Sequence, residues 1–405
     1  MKINSLTSPM AFLSLVIMLP IRHLISYFQG SQLLPIFRGL GLIPLFFAIV
    51  LFVCFLRSKR QYISWYGWLV FVCVMLSAGM VIFSSPDFKD FLGRSSFYFN
   101  INRLAYYFMY FYIGYYYDGF EQYRNWIFSF WFIMLINLLW HFNFQVMSIS
   151  FQGFDPDTVS MYLFLGDSFA IWSLLVLSFL TKSPFMSTFV SLLSAIALFA
   201  FISRTALYSF LIVIPLVIFF TKKSFKYWVF PISLLLVFSS GLSRLLEPNM
   251  RMLAFLDLGS DASMIERSFL FREGLSSIQK NWFLGDYGGQ LKYGGLGSYI
   301  HNYLSLWRQF GILTFMAFLI LLVSFIIKCW KSFWASMPSR ETTPQSFFLI
   351  VAGGFCFIEI VTARSYASPY IWLFLGMILN TKLFGRKTGK ERVQLHSLNK
   401  EPRGI

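Results

Sequence analysis

Charged residues are scarce in this sequence: they make up 12% of its 405 residues, about half the share found in an ordinary soluble domain. Hydrophobic residues reach 57%, aromatic residues reach 21%, and the mean hydropathy is +0.66. This composition excludes a soluble globular protein and predicts an integral membrane protein. A chain of this length has room for about ten to fourteen spans of roughly 20 residues, with one sizeable segment outside the membrane.

Cysteine is also rare, with four residues in the whole chain. Cys54, Cys73 and Cys356 fall inside predicted spans, and Cys329 falls at the end of one. We therefore expect no disulfide to hold the external loops in shape.

Hydropathy and helix-breaking residues predict about twelve spans, each an α-helix because lipid offers no hydrogen-bond partner to exposed backbone groups. Their expected limits are 9–28, 39–56, 65–83, 103–118, 126–143, 160–180, 185–203, 205–221, 227–243, 311–328, 347–363 and 368–384. The apolar run from 185 to 220 is continuous apart from Ser203-Arg204-Thr205, which predicts a helical hairpin with a polar turn. The expected fold class is thus an all-α polytopic membrane protein.

Lysine and arginine are concentrated on one side of these predicted spans. With the N-terminus in the cytoplasm, about nineteen of the thirty-three basic residues fall on the cytoplasmic side and about seven fall opposite. The net charge of +16 is therefore explained mainly by the basic residues that orient the spans in the membrane. We expect no nucleic-acid partner. Membrane lipid, including anionic lipid at the inner face, is the partner that this charge favours.

The predicted spans divide the chain into four parts. They are spans one to nine (1–243), a large external loop (244–310), spans ten to twelve (311–384) and a basic cytoplasmic tail (385–405). The first apolar segment continues into Arg22-His23 and lacks a small-residue cleavage site. We expect it to remain as the first span.

The external loop begins with a candidate helix and continues into glycine-rich sequence. Phe271, Leu275 and Ile278 stand at helical spacing within 267–280, which predicts an amphipathic helix resting on the membrane. The glycines between 285 and 297 favour turns and a close approach of backbone N–H groups to an anion. A second helix should begin near His301 and run into the tenth span.

The external face carries no Asp-x-Asp motif and no cluster of His and Cys of the kind that would hold a divalent cation. The sequence therefore predicts neither a metal site nor a cofactor. The nearest candidate is the Asp-Pro-Asp sequence at 155–157, which is typical of a turn.

The hairpin and the external loop carry a series of motifs in a fixed order: Ser203-Arg204, Arg267, Phe283-Leu284-Gly285, Gly288, His301-Asn302 and Gly311. Together these motifs resemble those of the O-antigen polymerase and O-antigen ligase superfamily. The topology resembles the family over nearly the whole chain, and the motifs do so over about 200–206 and 264–314. The chain departs from the family pattern at Trp282, where a proline is usual, and in the short spacing between Asn302 and Gly311.

The resemblance implies a glycosyltransferase of the GT-C type at the outer face of the bacterial inner (plasma) membrane. Its donor and acceptor would be oligosaccharides linked to undecaprenyl diphosphate, and it would use no nucleotide sugar, metal or other cofactor. A chain-length-regulating co-polymerase is a further partner that the family implies. Both chain termini would lie in the cytoplasm.

The resemblance assigns catalytic roles to His301, Arg204 and Arg267. Arginine stays protonated and engages phosphate oxygens with two N–H groups, which suits a diphosphate leaving group. Histidine is a natural general base for a sugar hydroxyl, and direct attack on the anomeric carbon would invert its configuration. The residues that we expect to bind substrate are Arg272, Asn302, Tyr299, Gly285, Gly288, Arg103 and Arg364.

Ionisable residues also fall toward the outer ends of the predicted spans. They are Arg103, Asp167, Arg204, Glu359 and Arg364. Buried charges in lipid face a protein cavity or one another, which predicts a polar chamber open to the outer leaflet. For Asp167 and Glu359, structural ion pairs that hold the bundle together are an equally good interpretation.

Three alternatives stay open. A polymerase transfers the growing glycan to the non-reducing-end hydroxyl of another lipid-linked repeat unit, whereas a ligase transfers it to lipid A-core; the sequence around His301 favours the polymerase. A lipid-linked oligosaccharide transporter would also have polar groups inside about twelve spans, but the two halves show no internal repeat. A non-catalytic assembly subunit is the remaining alternative.

Overall fold

The structure is a computed structural model. It describes residues 4–29, 96–143, 148–149, 161–201, 203–221, 262–289, 300–337, 342–364 and 368–380, with scattered positions between 46 and 79. Several predictions lie outside the described residues. They concern the span at 227–243, most of the spans at 39–56 and 65–83, the Asp-Pro-Asp sequence at 155–157 and the tail at 385–405.

The described part of the chain is built almost wholly from helices. They are α1 (Asn4–Val16), α2 (Arg22–Gln29), α3 (Ser96–Tyr115), α4 (Arg124–Trp140), α5 (Met161–Ser178), α6 (Pro184–Ala200), α7 (Arg204–Phe220), α8 (Ala262–Lys280), α9 (Leu304–Ser336), α10 (Pro344–Thr362) and α11 (Tyr370–Leu379). A π-helical turn, Ile17–Ile21, joins α1 to α2, and a 3-10 turn, Glu121–Tyr123, precedes α4. Strand β1 (Phe142–Asn143) pairs antiparallel with β2 (Ser148–Ile149), with Phe142 opposite Ile149.

Three apolar helical stretches in the described part are long enough to cross a membrane. They are Thr7–Ser26, Leu304–Ser336 and Pro344–Thr362. Four shorter helices are also strongly apolar, namely Leu163–Ser178, Pro184–Ala200, Arg204–Phe220 and Tyr370–Leu379. The protein is therefore an all-α membrane protein, and the total of about twelve spans stays a prediction.

Two helix boundaries bear directly on the sequence predictions. The hairpin is confirmed, because α6 ends at Ala200 and α7 begins at Arg204. The helix expected near His301 is also confirmed: α9 starts at Leu304 and runs into the following span, with a break in its backbone at Gly311, the predicted start of that span.

Helix α5 lies at the centre of the described bundle and packs against α2, α4, α6, α7 and α10. Nearly every side chain from Leu165 to Ser178 is buried, as expected for a helix surrounded on all sides. Its polar groups find partners within the bundle. Trp131 Nε1 donates to Ser173 Oγ at 3.0 Å, and Trp172 Nε1 donates to the Ile127 carbonyl at 3.0 Å.

The first helical segment changes its winding at Pro20, which lies in the π-helical turn between α1 and α2. Proline has no N–H group, so the regular bond to the carbonyl four residues back is missing and a wider turn is favoured. Beyond this turn His23 is fully buried, and its Nδ1 lies 3.0 Å from Ser168 Oγ on α5. The first segment is thereby fastened to the central helix.

Helices α3 and α11 cross in backbone contact at two glycines. A Cβ atom on Gly114 would lie 1.8 Å from the Leu373 carbonyl oxygen, and one on Gly376 would lie 2.0 Å from the Phe111 carbonyl oxygen. Small residues allow such close crossings between membrane helices, where packing and not hydrophobic burial drives association.

We predict that Gly376→Ala lowers the thermal unfolding temperature of the purified protein, because the added methyl group must displace backbone atoms of α3. Overpacking of this kind costs about 1–3 kcal/mol. Gly354→Ala is the matched control, since the nearest atom to its new Cβ is Val213 Cγ1 at 3.8 Å. Equal unfolding temperatures for the two variants would contradict this close crossing.

Candidate active site

The turn that follows α8 docks onto a break in α9. Gly311 has φ 74° and ψ −180°, which are not helical angles, although the helix continues on both sides. At this break the Ile312 N–H lies 3.1 Å from the Trp282 carbonyl and 3.2 Å from the Phe283 carbonyl. Trp307 Nε1 donates to the same Trp282 carbonyl at 2.9 Å. The turn after α8 and helix α9 are thus joined by hydrogen bonds to main-chain carbonyls of the turn.

Glycine is required on both sides of this junction. Gly285 has φ 82°, and a Cβ atom there would lie 2.6 Å from the Gly311 nitrogen. A Cβ atom on Gly311 would lie 1.9 Å from the Phe283 carbonyl oxygen. Both the positive φ angles and the close contact exclude a larger residue without rearrangement.

Further hydrogen bonds fasten this turn to the first turns of α9. The Asp286 N–H donates to the Arg308 carbonyl at 2.6 Å, and the Gly288 N–H donates to Gln309 Oε1 at 2.9 Å. Arg308 and Gln309 are both 1% exposed, and neither carried a signal in the sequence that would have marked it as part of the site. Gly288 therefore has a structural role here, and its predicted role in substrate binding stays a prediction.

Helix α8 presents two of the candidate arginines. Arg267 is half-buried and Arg272 is exposed. Farther along the helix, a Cβ atom on Gly274 would lie 2.2 Å from Ile300 Cγ1, so α8 packs closely against the residue that precedes His301. Ser277 Oγ also donates to Asp286 Oδ2 at 3.2 Å, which ties the end of α8 to its turn.

Asn302 begins α9 by capping it. Its Oδ1 accepts the Leu304 N–H at 2.9 Å, and its carbonyl accepts the Ser305 N–H at 3.1 Å. These bonds satisfy N–H groups that a helix start otherwise leaves without partners. Asn302 thereby fixes the chain next to His301, and its predicted contact with substrate stays a prediction.

His301 lies where the segment that enters α9 meets the end of α10. Its half-buried imidazole hydrogen-bonds to the Ala363 carbonyl, and Arg267 and Arg364 are both within electrostatic range. Burial, together with the positive charges of Arg267 and Arg364, lowers the pKa of His301 to about 4, and the Ala363 bond partly opposes this shift. The ring is therefore neutral near pH 7. One ring nitrogen donates to Ala363, which leaves the other as a proton acceptor.

Arg364 is held by two carboxylates behind the histidine. Its Nε lies 2.9 Å from Asp167 Oδ2 and its Nη2 lies 2.5 Å from Asp167 Oδ1, a two-pronged contact. The same Nη2 lies 3.7 Å from Glu359 Oε1. Side-chain exposure is 8% for Arg364, 5% for Asp167 and 1% for Glu359, so this is a buried ion cluster.

Arg204 is the first residue of α7 and is half-buried. The hairpin turn that carries it packs on the central helix, because a Cβ atom on Gly166 would lie 2.6 Å from Ser203 Cβ. Gly166 directly precedes Asp167, so the turn with Arg204 and the ion cluster share the same end of α5.

The structure therefore brings four of the predicted site residues to one region. Arg267 and Arg364 lie within electrostatic range of His301, and Arg204 lies at the end of α5 that carries the ion cluster. Arg103 belongs to α3, but its side chain is outside the described part of the chain, as is the whole of Tyr299.

Arg22 also lies in this region, although no role in the site was predicted for it from the sequence. The Arg22 guanidinium lies over the rings of Tyr106 at 4.8 Å and Phe164 at 4.5 Å. Buried Tyr370 lies within electrostatic range of Arg22, Asp167 and Glu359. The sequence shows Arg22 at the end of the first apolar segment, but it carries no signal for these aromatic neighbours.

The chain matches no protein-family model, and the search of curated proteins found no match. The resemblance to the O-antigen polymerase and ligase superfamily thus depends on the motifs themselves. Among the described residues, no group of three or more His, Cys, Asp and Glu side chains is placed to hold a metal ion.

We predict that His301 makes the folded protein lose stability in acid. Its folded-state pKa of about 4 lies below the ordinary value of 6.5, so the unfolded chain takes up the proton first. As the pH falls from 6.5 to about 4, the unfolding temperature of the wild-type protein should fall more steeply than that of His301→Gln. If the unfolding temperatures of the two proteins fell in parallel as the pH was lowered, the pKa of His301 would not be lowered in the folded protein.

Proposed function

We propose that the protein is a polymerase of O-antigen or a related surface polysaccharide, a glycosyltransferase with a polyprenyl-diphosphate-linked donor. It transfers a growing glycan to the non-reducing-end hydroxyl of another lipid-linked repeat unit, with inversion and without a metal. The main support is the neutral His301 ring, which bonds to the Ala363 carbonyl and lies within electrostatic range of Arg267 and Arg364.

In the proposed reaction, His301 acts as the general base. The acceptor hydroxyl attacks the anomeric carbon of the donor sugar while its proton passes to the ring nitrogen of His301 that does not bond to Ala363. The bond between the anomeric carbon and the phosphate oxygen breaks, and its electron pair leaves with the polyprenyl diphosphate. One glycosidic bond forms for each sugar–phosphate bond that breaks.

Arginine side chains stabilise the leaving diphosphate. Arg267 is half-buried close to His301, and Arg204 begins a helix whose N-terminal end also favours an anion. A diphosphate bound to Arg267 would offset the positive charge that depresses the pKa of His301. The base would therefore become stronger when the donor is bound.

The proposed setting is the outer face of the bacterial inner membrane. About twelve spans in a GT-C-like arrangement would place α8 and its turn in the periplasm, with both termini in the cytoplasm. The external apolar side chains of this region, Trp282, Phe283 and Leu284, are 49–63% exposed. They adjoin the apolar helix α9, since Ile312 bonds to the turn and the next residue, Leu313, is 54% exposed. An exposed apolar surface here supports a site at the membrane surface, where lipid carriers are found.

We predict that His301→Ala, Arg204→Ala and Arg267→Ala each abolish or strongly reduce polymer formation in cells that lack the native gene. Loss of a general base costs about 10²–10⁴-fold in rate, and loss of a charge-stabilising donor costs about 10²–10³-fold. Chain-length ladders of surface polysaccharide on gels, at matched expression, give the measurement.

His141→Ala and Arg124→Ala are the matched controls for these variants. They remove the same side chains at the two ends of α4, where His141 bonds to the Asn137 carbonyl and Arg124 lies over Phe128. Full polymer formation by all three site variants would overturn the enzyme proposal. Loss of every core-attached glycan in the deletion strain, including single units, would indicate a ligase.

A further inference from the structure

The ion cluster next to His301 is anchored on a fully buried part of the central helix α5. Asp167 is 4% exposed, and its neighbours Leu165, Ser168 and Phe169 on α5 are fully buried. The preceding Gly166 lies against the hairpin turn with no room for a side chain. Asp167 is therefore held in one position. Because both of its carboxylate oxygens accept hydrogen bonds from Arg364, the Arg364 guanidinium is held in place as well.

Arg364 in turn restrains the last turn of α10. Its own N–H donates to the Glu359 carbonyl at 2.6 Å, and the Ala363 N–H donates to the same carbonyl at 2.8 Å. The peptide group that joins Ala363 to Arg364 is thus held through its N–H and through the Arg364 side chain. The carbonyl of this peptide group is the one that hydrogen-bonds to His301.

His301 is held on its other side by different elements. Ile300 is 1% exposed and packs on Gly274 of α8, and Asn302 caps α9. The backbone of His301 therefore belongs to the external loop, whereas its ring is oriented by a carbonyl at the end of α10. The ring orientation depends on how these two parts of the chain are fixed relative to each other.

We propose that Asp167 is a positioning residue for His301, which acts through Arg364 and the Ala363 carbonyl. This inference rests on the proposed function only in giving His301 a reaction to perform. In this inference Arg364 supports His301, whereas Arg267 and Arg204 bind the diphosphate. Glu359 adds a second, longer contact to the same guanidinium.

The first test measures how fast diethyl pyrocarbonate modifies His301 in the purified full-length protein, by mass spectrometry of the peptide that contains it. Near neutral pH the ring is uncharged, so the rate reports how accessible its nitrogens are. Asp167→Asn should raise the rate by about threefold or more, because the Ala363 carbonyl no longer covers one nitrogen continuously.

Asp118→Asn is the matched control. It makes the same substitution on the turn after α3, where the side-chain oxygen accepts the Phe120 N–H at 3.1 Å and an amide oxygen can do the same. Its His301 modification rate should equal that of the wild type. A lowered unfolding temperature with an unchanged modification rate in Asp167→Asn would show a purely structural ion pair and overturn the inference.

The second test measures transfer kinetics with the lipid-linked single repeat units that accumulate in a strain lacking the gene. Asp167→Asn should lower kcat by about tenfold to a hundredfold, the usual cost of a misplaced catalytic group. KM should stay within about twofold, because Arg267 and Arg204 still bind the donor. Asp167→Glu, which keeps a carboxylate opposite Arg364, should recover part of the loss.

The two tests separate the inference from the proposed function. If the wild-type protein transfers no glycan, the proposed function fails, and the modification rate still decides whether Asp167 positions His301. If Asp167→Asn raises KM and leaves kcat unchanged, Arg364 contacts the donor directly and the inference is overturned. Arg364→Lys, which keeps the charge but loses the two-pronged contact, gives the same readouts if Asp167→Asn does not accumulate.

Discussion

A buried ion pair between residues far apart in the chain organises the described part of this protein. Asp167 and Arg364 are separated by 197 positions, yet their side chains meet in two short contacts inside an apolar bundle. Breaking such a pair costs several kcal/mol, because it leaves an uncompensated buried charge. The central helix, the end of α10 and the hairpin turn must therefore keep their relative positions, and these are the elements that surround His301.

Much of the local structure could be predicted from the sequence. A polar Ser-Arg pair within an apolar run indicated the break between α6 and α7, since a single helix of that length would exceed the bilayer. Helical spacing of Phe271, Leu275 and Ile278 indicated α8, although the helix begins earlier, at Ala262. These features depend on residues close together in the chain, which is why periodicity and breakers reveal them.

The contacts between distant segments could not be predicted in the same way. Hydropathy marked Asp167 and Arg364 as unusual but could not pair them, because pairing depends on which helix faces lie together. Likewise, Gly285 and Gly311 were recognised as motif residues, while the reason for glycine there is a main-chain contact between loop and helix. The motifs indicate that glycine is required at these two positions, but they do not reveal which contact requires it.

The break in α9 also has a consequence for the order in which the protein is made. The turn after α8 has its hydrogen-bond partners on residues 307–312, which leave the ribosome later than the turn itself. The loop therefore cannot reach its final form before the start of α9 has been synthesised. Assembly of the region around His301 thus follows synthesis of the first turns of α9.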